Sequence, residues 1–397
     1  VSRSDSQHRY ETTHPWINFK LTVEQQVLWA SLGEALSKCT HLAGTPLPPD
    51  LARRLASTTL IRGAVATTAI EGNTLTVEDV QRLQQSGKRL PESQSYLQDE
   101  VNNVLFALAQ IDNEVRSSGG QPFRLTSEWI REQNNTILKG LEVDDHVVPG
   151  EYTEVQLTVG PYRAAPPEDV AYLMDRLVDW LNEVWLAPRH QEGASAEQRF
   201  FNSFFAAVLA HLYIAWIHPF GDGNGRTARL VECAILAHCG VVPWVSSNLL
   251  SDHYNRTRSH YYRALKNASA KEDVQGFLRY SVRGYVDMLR EQISEVQEMQ
   301  RVVAWTNYVH GRMHAEPAGD TQKRRRELVL CLPEDGCRRS DVRTLNASLA
   351  AAYATKQQKT VSRDITRLRE LGLIYQVGPF IKPSIDIVDA FRPATVS

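Results

Sequence analysis

The chain has 397 residues, 42% of them hydrophobic and 23% charged, with a formal net charge of -2. That length allows two or three domains with sizeable cores, and the near-neutral charge excludes a chain that coats polyanions along its whole length. The five cysteines lack zinc-ligand spacing and read as reduced thiols of a cytoplasmic protein.

Residues 1–20 are polar and are expected to be loosely ordered, and "VSRSDSQHRYETTHPW" does not read as a signal peptide. From about 21 to 110 apolar residues recur at helical spacing, broken at "AGTPLPPD" and "QQSGKRLPES"; residues 1–110 are taken as an N-terminal helical region. Within it, "VATTAIEGNTLTVEDV" predicts a helix ending at Glu71 with Gly72 as its cap. A second helix then starts at Thr76, with Asp79 as its capping-box partner. An acid at a helix C-terminus faces the negative end of the dipole, which costs roughly 0.3–1 kcal/mol.

Residues 111–300 are read as one core. Thr126 caps a helix that Gly140 ends. "GEYTEVQLTVGPYRAAPPEDV" then changes texture and predicts a small β-hairpin in an otherwise helical protein. Helices resume at about 168–187 and 196–217, and from 226 through about 300. The apolar run "AAVLAHLYIAWI" is too short to span a bilayer and fits a buried core helix, so no membrane association is expected.

The next stretch, "IHPFGDGNGRTARLVECAILAHCG", carries the chemistry. Its second half is periodic as a helix to about Gly240, yet Arg226 and Arg229 are expected in its first turn, at the positive end. A helix start behind a glycine-rich loop is an anion site, because free backbone N–H groups point outward and Gly221, Gly223 and Gly225 let the chain curl. Bound polyphosphate would turn both arginines into favourable charges. Asp222 suits a hard cation such as Mg²⁺ against phosphate oxygens, Asn224 can bond either phosphate or loop, and His218 is placed to take a proton from a hydroxyl. The Gly-Lys-Ser/Thr ending of a P-loop is missing, and a helix rather than a strand precedes the loop.

The last segment, 320–397, reads as a winged helix-turn-helix. "KTVSRDITRLRELGLIYQVG" places Val361, Ile365 and Leu368 on one helical face, stops at Gly372 and continues as a strand, with "SIDIV" as its returning partner. Lys and Arg outnumber Asp and Glu there, through "KRRRE" and through Arg363, Arg367 and Arg369.

The run His218–Arg229 resembles the Fic-domain motif and meets all nine of its specified positions within 12 residues. The resemblance implies a mainly α fold: a Fic-type helical bundle with a small β-hairpin flap, to which the winged helix-turn-helix is added. It implies a protein adenylyltransferase that moves AMP from ATP to a Ser, Thr or Tyr hydroxyl of a protein. His218 would be the general base, Asp222 the Mg²⁺ ligand, and Gly223, Asn224 and Gly225 the anion hole. Arg226 would hold the β-phosphate and Arg229 the γ-phosphate. Thr67, Glu71 and Gly72 resemble the family's inhibitory motif, with Glu71 drawing Arg229 away from the nucleotide. Gln156, Leu157 and Thr158 would be the flap edge that pairs with the target backbone, although Thr153 stands where the family often has Arg. Tyr262 would lie beside the adenine. Self-adenylylation, removal of AMP and a homodimer are compatible with the resemblance. The alternative is a DNA-binding transcriptional regulator with an ATP-sensing Fic domain, with DNA bound through the winged helix. A nucleotide sensor without transfer would not need His218.

Overall fold

Local capping chemistry starts several of the helices. Thr76 and Asp79 form a reciprocal capping box, as do Ser195 and Gln198, while Thr126 accepts from the Trp129 backbone N–H. The computed structural model describes residues 8–21, 26–188 and 193–389. It divides into two units, Val1–Ile293 and Ser294–Ser397. In chain order the first unit builds α1 (Tyr10–Thr13), α2 (Gln26–Ala43), α3 (Pro49–Ile70), α4 (Val77–Ser86), α5 (Ser95–Ser117) and α6 (Ser127–Leu138). The hairpin strands β1 (Thr158–Val159) and β2 (Tyr162–Arg163) follow. Then come α7 (Pro167–Trp180), α8 (Ala196–Ile217), α9 (Asn224–Ala237), α10 (Leu249–Arg256), α11 (Arg258–Ala270) and the first part of α12 (Val274–His314).

The core explains why distant segments meet at one place. Ile61, Ala64 and Val65 of α3 pack in one buried cluster with Val101, Val104 and Leu108 of α5, Ile137 and Leu138 of α6, and Leu230, Cys233 and Ala234 of α9. Each Val, Leu or Ile side chain among them contributes about 1.5–3 kcal/mol when fully buried. The cluster thereby brings the C-terminal end of α3 to the N-terminal end of α9. Beside it, α8 is buried along nearly its whole length from Phe200 to Ile217.

Several expectations need correction. Residues 8–20 are tied down: the Tyr10 backbone N–H donates to Asp169 Oδ2 at 2.8 Å, and His8 pairs with Asp169 Oδ1 at 2.8 Å. Residues 1–7 of that segment lie outside the described residues. The apolar run belongs to a 22-residue helix, α8, which is long and apolar enough to cross a membrane; 83% of its apolar window is packed inside the unit, so burial and not length makes it a core helix. Helix α3 ends at Ile70, one residue before Glu71, and α9 begins at Asn224, which puts Arg226 in the first turn and Arg229 in the second.

The second unit packs α13 (Asp320–Cys331), α14 (Ala347–Ala354) and α15 (Gln358–Glu370) with a three-stranded antiparallel sheet. Its strands β3 (Cys337–Arg338), β4 (Ile374–Val377) and β5 (Phe380–Pro383) lie in the order β3-β5-β4. Val361, Ile365 and Leu368 are all buried in its core. The returning strand is Phe380–Pro383, not "SIDIV", which forms a short 3₁₀ turn at Ile385–Val388. Val377 pairs directly with Phe380, so Gly378 and Pro379 make a two-residue turn that brings the partner strand forward.

Candidate active site

The loop between α8 and α9 is held in an unusual conformation. His218 caps α8 with φ 54° and ψ 60°, a left-handed geometry that costs a non-glycine residue of order 1–3 kcal/mol. It turns the chain sharply into Pro219 and Phe220. Asn224 then locks the loop: its Oδ1 accepts from the Phe220 backbone N–H at 2.9 Å, and its Nδ2 donates to the Phe220 carbonyl at 2.6 Å. The Asn224 side chain therefore serves the loop, and only its backbone N–H is left to face an anion. Asn134, fully buried on α6, donates to the Asp222 carbonyl at 2.9 Å and to Thr227 Oγ1 at 3.2 Å, and accepts from the Gly150 N–H at 3.0 Å. It fastens the loop to the segment before the hairpin. That segment is further joined by the Thr153 N–H, which donates to the Pro219 carbonyl at 2.8 Å.

Glycine is required at Gly223, where φ is +77° and a Cβ would lie 2.9 Å from Asn134 Nδ2. At Gly225 the reason is different. A Cβ there would lie 2.4 Å from Glu71 Oε1 and 3.1 Å from Arg229 Nη1. The Glu71 carboxylate thus sits over the open backbone at the start of α9, in the space that an incoming anion would take.

Arg229 is 2% exposed and turned wholly toward the end of α3. Its Nε donates to Thr67 Oγ1 at 2.6 Å, and its Nη2 donates to the Thr67 carbonyl at 3.0 Å and to Glu71 Oε1 at 2.6 Å. Burial favours the neutral Glu71 acid, but Arg229, with Arg226 and Arg258, outweighs it and holds that carboxyl below its ordinary value. Burial likewise opposes the Arg229 charge, and Glu71 and the Tyr261 hydroxyl reverse this, holding its pKa above the ordinary value. Arg226 is also buried. Its Nη2 lies 3.3 and 3.2 Å from the two oxygens of the half-exposed Asp222 carboxylate, and its Nη1 lies 3.4 Å from Glu100 Oε1. Its Nε has no hydrogen-bond partner among the described residues. Burial pushes the His218 imidazole below its ordinary pKa; the nearby Ala215 carbonyl and the Glu71 and Asp222 carboxylates oppose this without reversing it.

The structure thus brings His218, Asp222, Gly223, Asn224, Gly225, Arg226 and Arg229 together with Thr67, Glu71 and Gly72. Tyr262 stands at the same helix end: half-exposed on α11, it donates to the Ile70 carbonyl at 3.4 Å. The flap is less regular than expected. Of Gln156, Leu157 and Thr158 only Thr158 lies in a strand, paired with Arg163, while the Leu157 carbonyl accepts from the Ala164 N–H at 3.1 Å and the Gln156 side chain bonds the Ala164 carbonyl at 2.8 Å. Sequence reasoning missed Glu100, Asn134, Arg258 and Tyr261. Arg258 donates to the Ala69 carbonyl at 2.8 Å and also bonds the Ile70 carbonyl. None of the four sits in a recognisable motif, and only the three-dimensional packing reveals them.

Among the described residues, no group of three or more His, Cys, Asp or Glu side chains forms a metal cage. A single carboxylate such as Asp222 beside an anion site still fits Mg²⁺, which is commonly held through one or two carboxylates and substrate phosphates.

The site thus joins a glycine-curled helix start, a half-buried histidine and two buried arginines in one helical domain. Residues 124–236 match the family model described as Fic/DOC family. It is 29% identical over 216 residues to the protein adenylyltransferase Fic of Drosophila willistoni, which is 53% of this chain and 37% of that protein. It is also 29% identical over 228 residues to the protein adenylyltransferase fic-1 of Caenorhabditis briggsae, 57% of this chain and 40% of that one. The matches therefore span well under half the length of these relatives. Among solved structures, a Fic family protein from Desulfovibrio desulfuricans shares the fold with a TM-score of 0.55 at 23% identity, over 94% of this chain and 95% of that chain. Fic-1 from Caenorhabditis elegans gives 0.52 at 22% identity, over 69% and 72%.

Proposed function

We propose that the protein is an autoinhibited protein adenylyltransferase that transfers AMP from ATP to a Ser, Thr or Tyr hydroxyl. His218 takes the proton as the hydroxyl oxygen bonds the α-phosphorus, and the bond to the bridging oxygen breaks, so that pyrophosphate leaves. The anion hole formed by the backbone of Gly223, Asn224 and Gly225 holds the phosphates, with Arg226 on the β-phosphate and Arg229 on the γ-phosphate. Asp222 would hold Mg²⁺, which would neutralise phosphate charge. Tyr262 stacks on the adenine, and the Gln156–Thr158 edge pairs with the target backbone. Self-adenylylation, removal of AMP, a homodimer and a cytoplasmic location belong to the same reading.

The observation that carries the proposal is the Glu71 carboxylate lying over Gly225 while bonded to Arg229 at 2.6 Å. One side chain occupies the anion site and also engages the cation meant for the outer phosphate. Incubation with α-labelled ATP and Mg²⁺ tests it. Glu71→Gly should label itself and lysate proteins more strongly than wild type, by about 10-fold or more, given that a lost charge-assisted bond is worth about 1.5–3 kcal/mol. His218→Ala in the same background should label about 10²–10⁴-fold more slowly. Unchanged labelling in Glu71→Gly refutes the inhibitory role.

We read the second unit as a winged helix serving protein contact or packing rather than DNA. Three of its arginines are engaged internally: Arg324 and Arg325 each donate to Asp364 at 2.8 Å, and Arg367 donates to Glu316 at 2.7 Å. Arg363 and Arg369 remain exposed.

A further inference from the structure

Residues 8–19 run past β2, and the chemistry proposed for the site does not use them. They are fixed at one end by Asp169 in the first turn of α7, which accepts from the Tyr10 backbone N–H and pairs with His8. At the other end Phe19 is buried, and its backbone N–H donates to the Tyr213 hydroxyl on α8 at 3.1 Å. Between them stands His14, 3% exposed. Its Nε2 lies 2.9 Å from the Arg163 carbonyl on β2, and its Nδ1 lies 2.8 Å from Thr13 Oγ1. Its ring meets that of Tyr162 edge-on at 6.2 Å, and the Trp16 ring lies against both.

The donor inventory fixes the tautomer. A carbonyl can only accept, so His14 Nε2 carries a proton and donates to Arg163. Burial holds the imidazole below its ordinary pKa, so the ring is neutral near pH 7. Nδ1 is then left to accept from the exposed Thr13 hydroxyl. β2 is tied a second time, because the Tyr162 hydroxyl donates to the Trp216 carbonyl on α8 at 2.8 Å, just before His218 in the chain. β1 is different. Thr158 and Val159 are exposed, and among the described residues nothing outside the hairpin bonds to them. The two strands are therefore unequal: β2 is held between His14 and α8, and β1 is open to an incoming backbone.

A two-stranded hairpin is marginal by itself in water, and this one has only two residue pairs. Its order therefore comes from what it is tied to. We propose that His14 is a positioning residue for target binding. By holding the Arg163 carbonyl it keeps β2 closed to pairing and sets β1 as the strand that receives the target backbone, in a fixed place relative to His218. This inference rests on the reading of the hairpin as the edge that pairs with the target.

The test separates target presentation from nucleotide binding. All variants are made in the Glu71→Gly chain. The readings are labelling of lysate proteins from α-labelled ATP with Mg²⁺, hydrogen exchange of the 156–164 peptide, and ATP affinity by calorimetry with His218→Ala added. His14→Phe keeps the ring packing and removes the donor. It should raise exchange in 156–164 by about tenfold and lower labelling by about as much, the equivalent of one hydrogen bond, and leave ATP affinity within about twofold. His14→Gln keeps a side-chain donor and should recover most of both losses. Thr13→Val, at an exposed position, should move both readings the same way by a smaller factor, and it carries the test if His14→Phe does not fold. Unchanged exchange, unchanged labelling with a loosened hairpin, or equal losses of labelling and ATP affinity overturn the positioning role, as does His14→Gln behaving like His14→Phe. These outcomes leave the transfer reading intact. If the Glu71→Gly chain itself labels no protein, the transfer reading fails and the inference falls with it.

Discussion

Replacing Glu71 by Ala should make the protein less stable alone and more strongly stabilised by ATP. Breaking a fully buried ion pair by deleting one partner costs about 3–5 kcal/mol. Here the Glu71 side chain keeps 36% exposure, and Thr67 retains two of the bonds to Arg229. Solvent screening therefore reduces the cost to about half, roughly 2 kcal/mol. For a unit of this size that lowers the melting temperature by about 4–8 °C. ATP at 100 times its dissociation constant then returns about 2.7 kcal/mol to the variant. In the wild type it returns less, because the nucleotide must first displace the carboxylate from Gly225 and Arg229. Thermal melting with and without ATP and Mg²⁺ reads both effects. The pH dependence follows from the same contact. The folded Glu71 carboxyl titrates below its ordinary value, so its contribution is whole above an unfolded pKa of about 4.3 and is lost as pH falls through the lower folded value. The gap in stability between wild type and Glu71→Ala should thus be constant at neutral pH and close below about pH 4. An equal ATP-induced shift in the two proteins, or a gap that widens in acid, would refute the displacement argument.

Three further outcomes concern His218 and the second unit. Because burial holds His218 below its ordinary pKa, and removal of Glu71 takes away one opposing charge, kcat/KM for AMP transfer by Glu71→Gly should stay flat as pH falls through about 6.5 and decline only below it; an inflection above pH 7 contradicts His218 as the base. His218→Ala should lose about 10²–10⁴-fold in transfer while still binding ATP. In the second unit, Asp364 is 1% exposed and accepts from Arg324, Arg325 and Tyr353. Asp364→Ala should destabilise that unit by about 3–5 kcal/mol, since the buried Arg324 loses its counter-charge while Arg325 keeps Glu316; limited proteolysis beyond residue 293 should accelerate, and an unchanged digestion pattern counts against the network.

What could be read from the sequence was whatever short-range chemistry fixes. The capping box at Thr76 and Asp79, the glycines of the loop and the charges at two helix ends all follow from neighbours within a few positions. The hairpin turn of the second unit shows the limit: a Gly-Pro pair announced a turn, but only the pairing of Val377 with Phe380 says how tight it is. Arg226 and Arg229 had the right residue types, and their placement at a positive helix end marked them as odd. Their partners were only half visible. Glu71 could be matched to Arg229 because it is misplaced in the opposite sense. Glu100 and Tyr261 could not be matched, because each sits inside a regular helix where nothing local is violated. Asn224 was left open between phosphate and loop, and the two bonds to Phe220 decide for the loop.

The contact between α3 and the loop is also more than one ion pair. The exposed carbonyls at the end of α3 are met by Arg258, and Tyr262 reaches the Ile70 carbonyl as well. Cations and donors there complement the negative helix end, which Glu71 itself opposes. Thr67 adds two bonds to Arg229 that do not depend on Glu71. Losing the carboxylate therefore removes a charge from the anion site without detaching the helix that carried it. Under the proposed inhibition, relief would be a local exchange of one anion for another at the start of α9. The packing that buries Arg229 would stay in place when phosphate arrives, and a low local dielectric would make that phosphate contact strong.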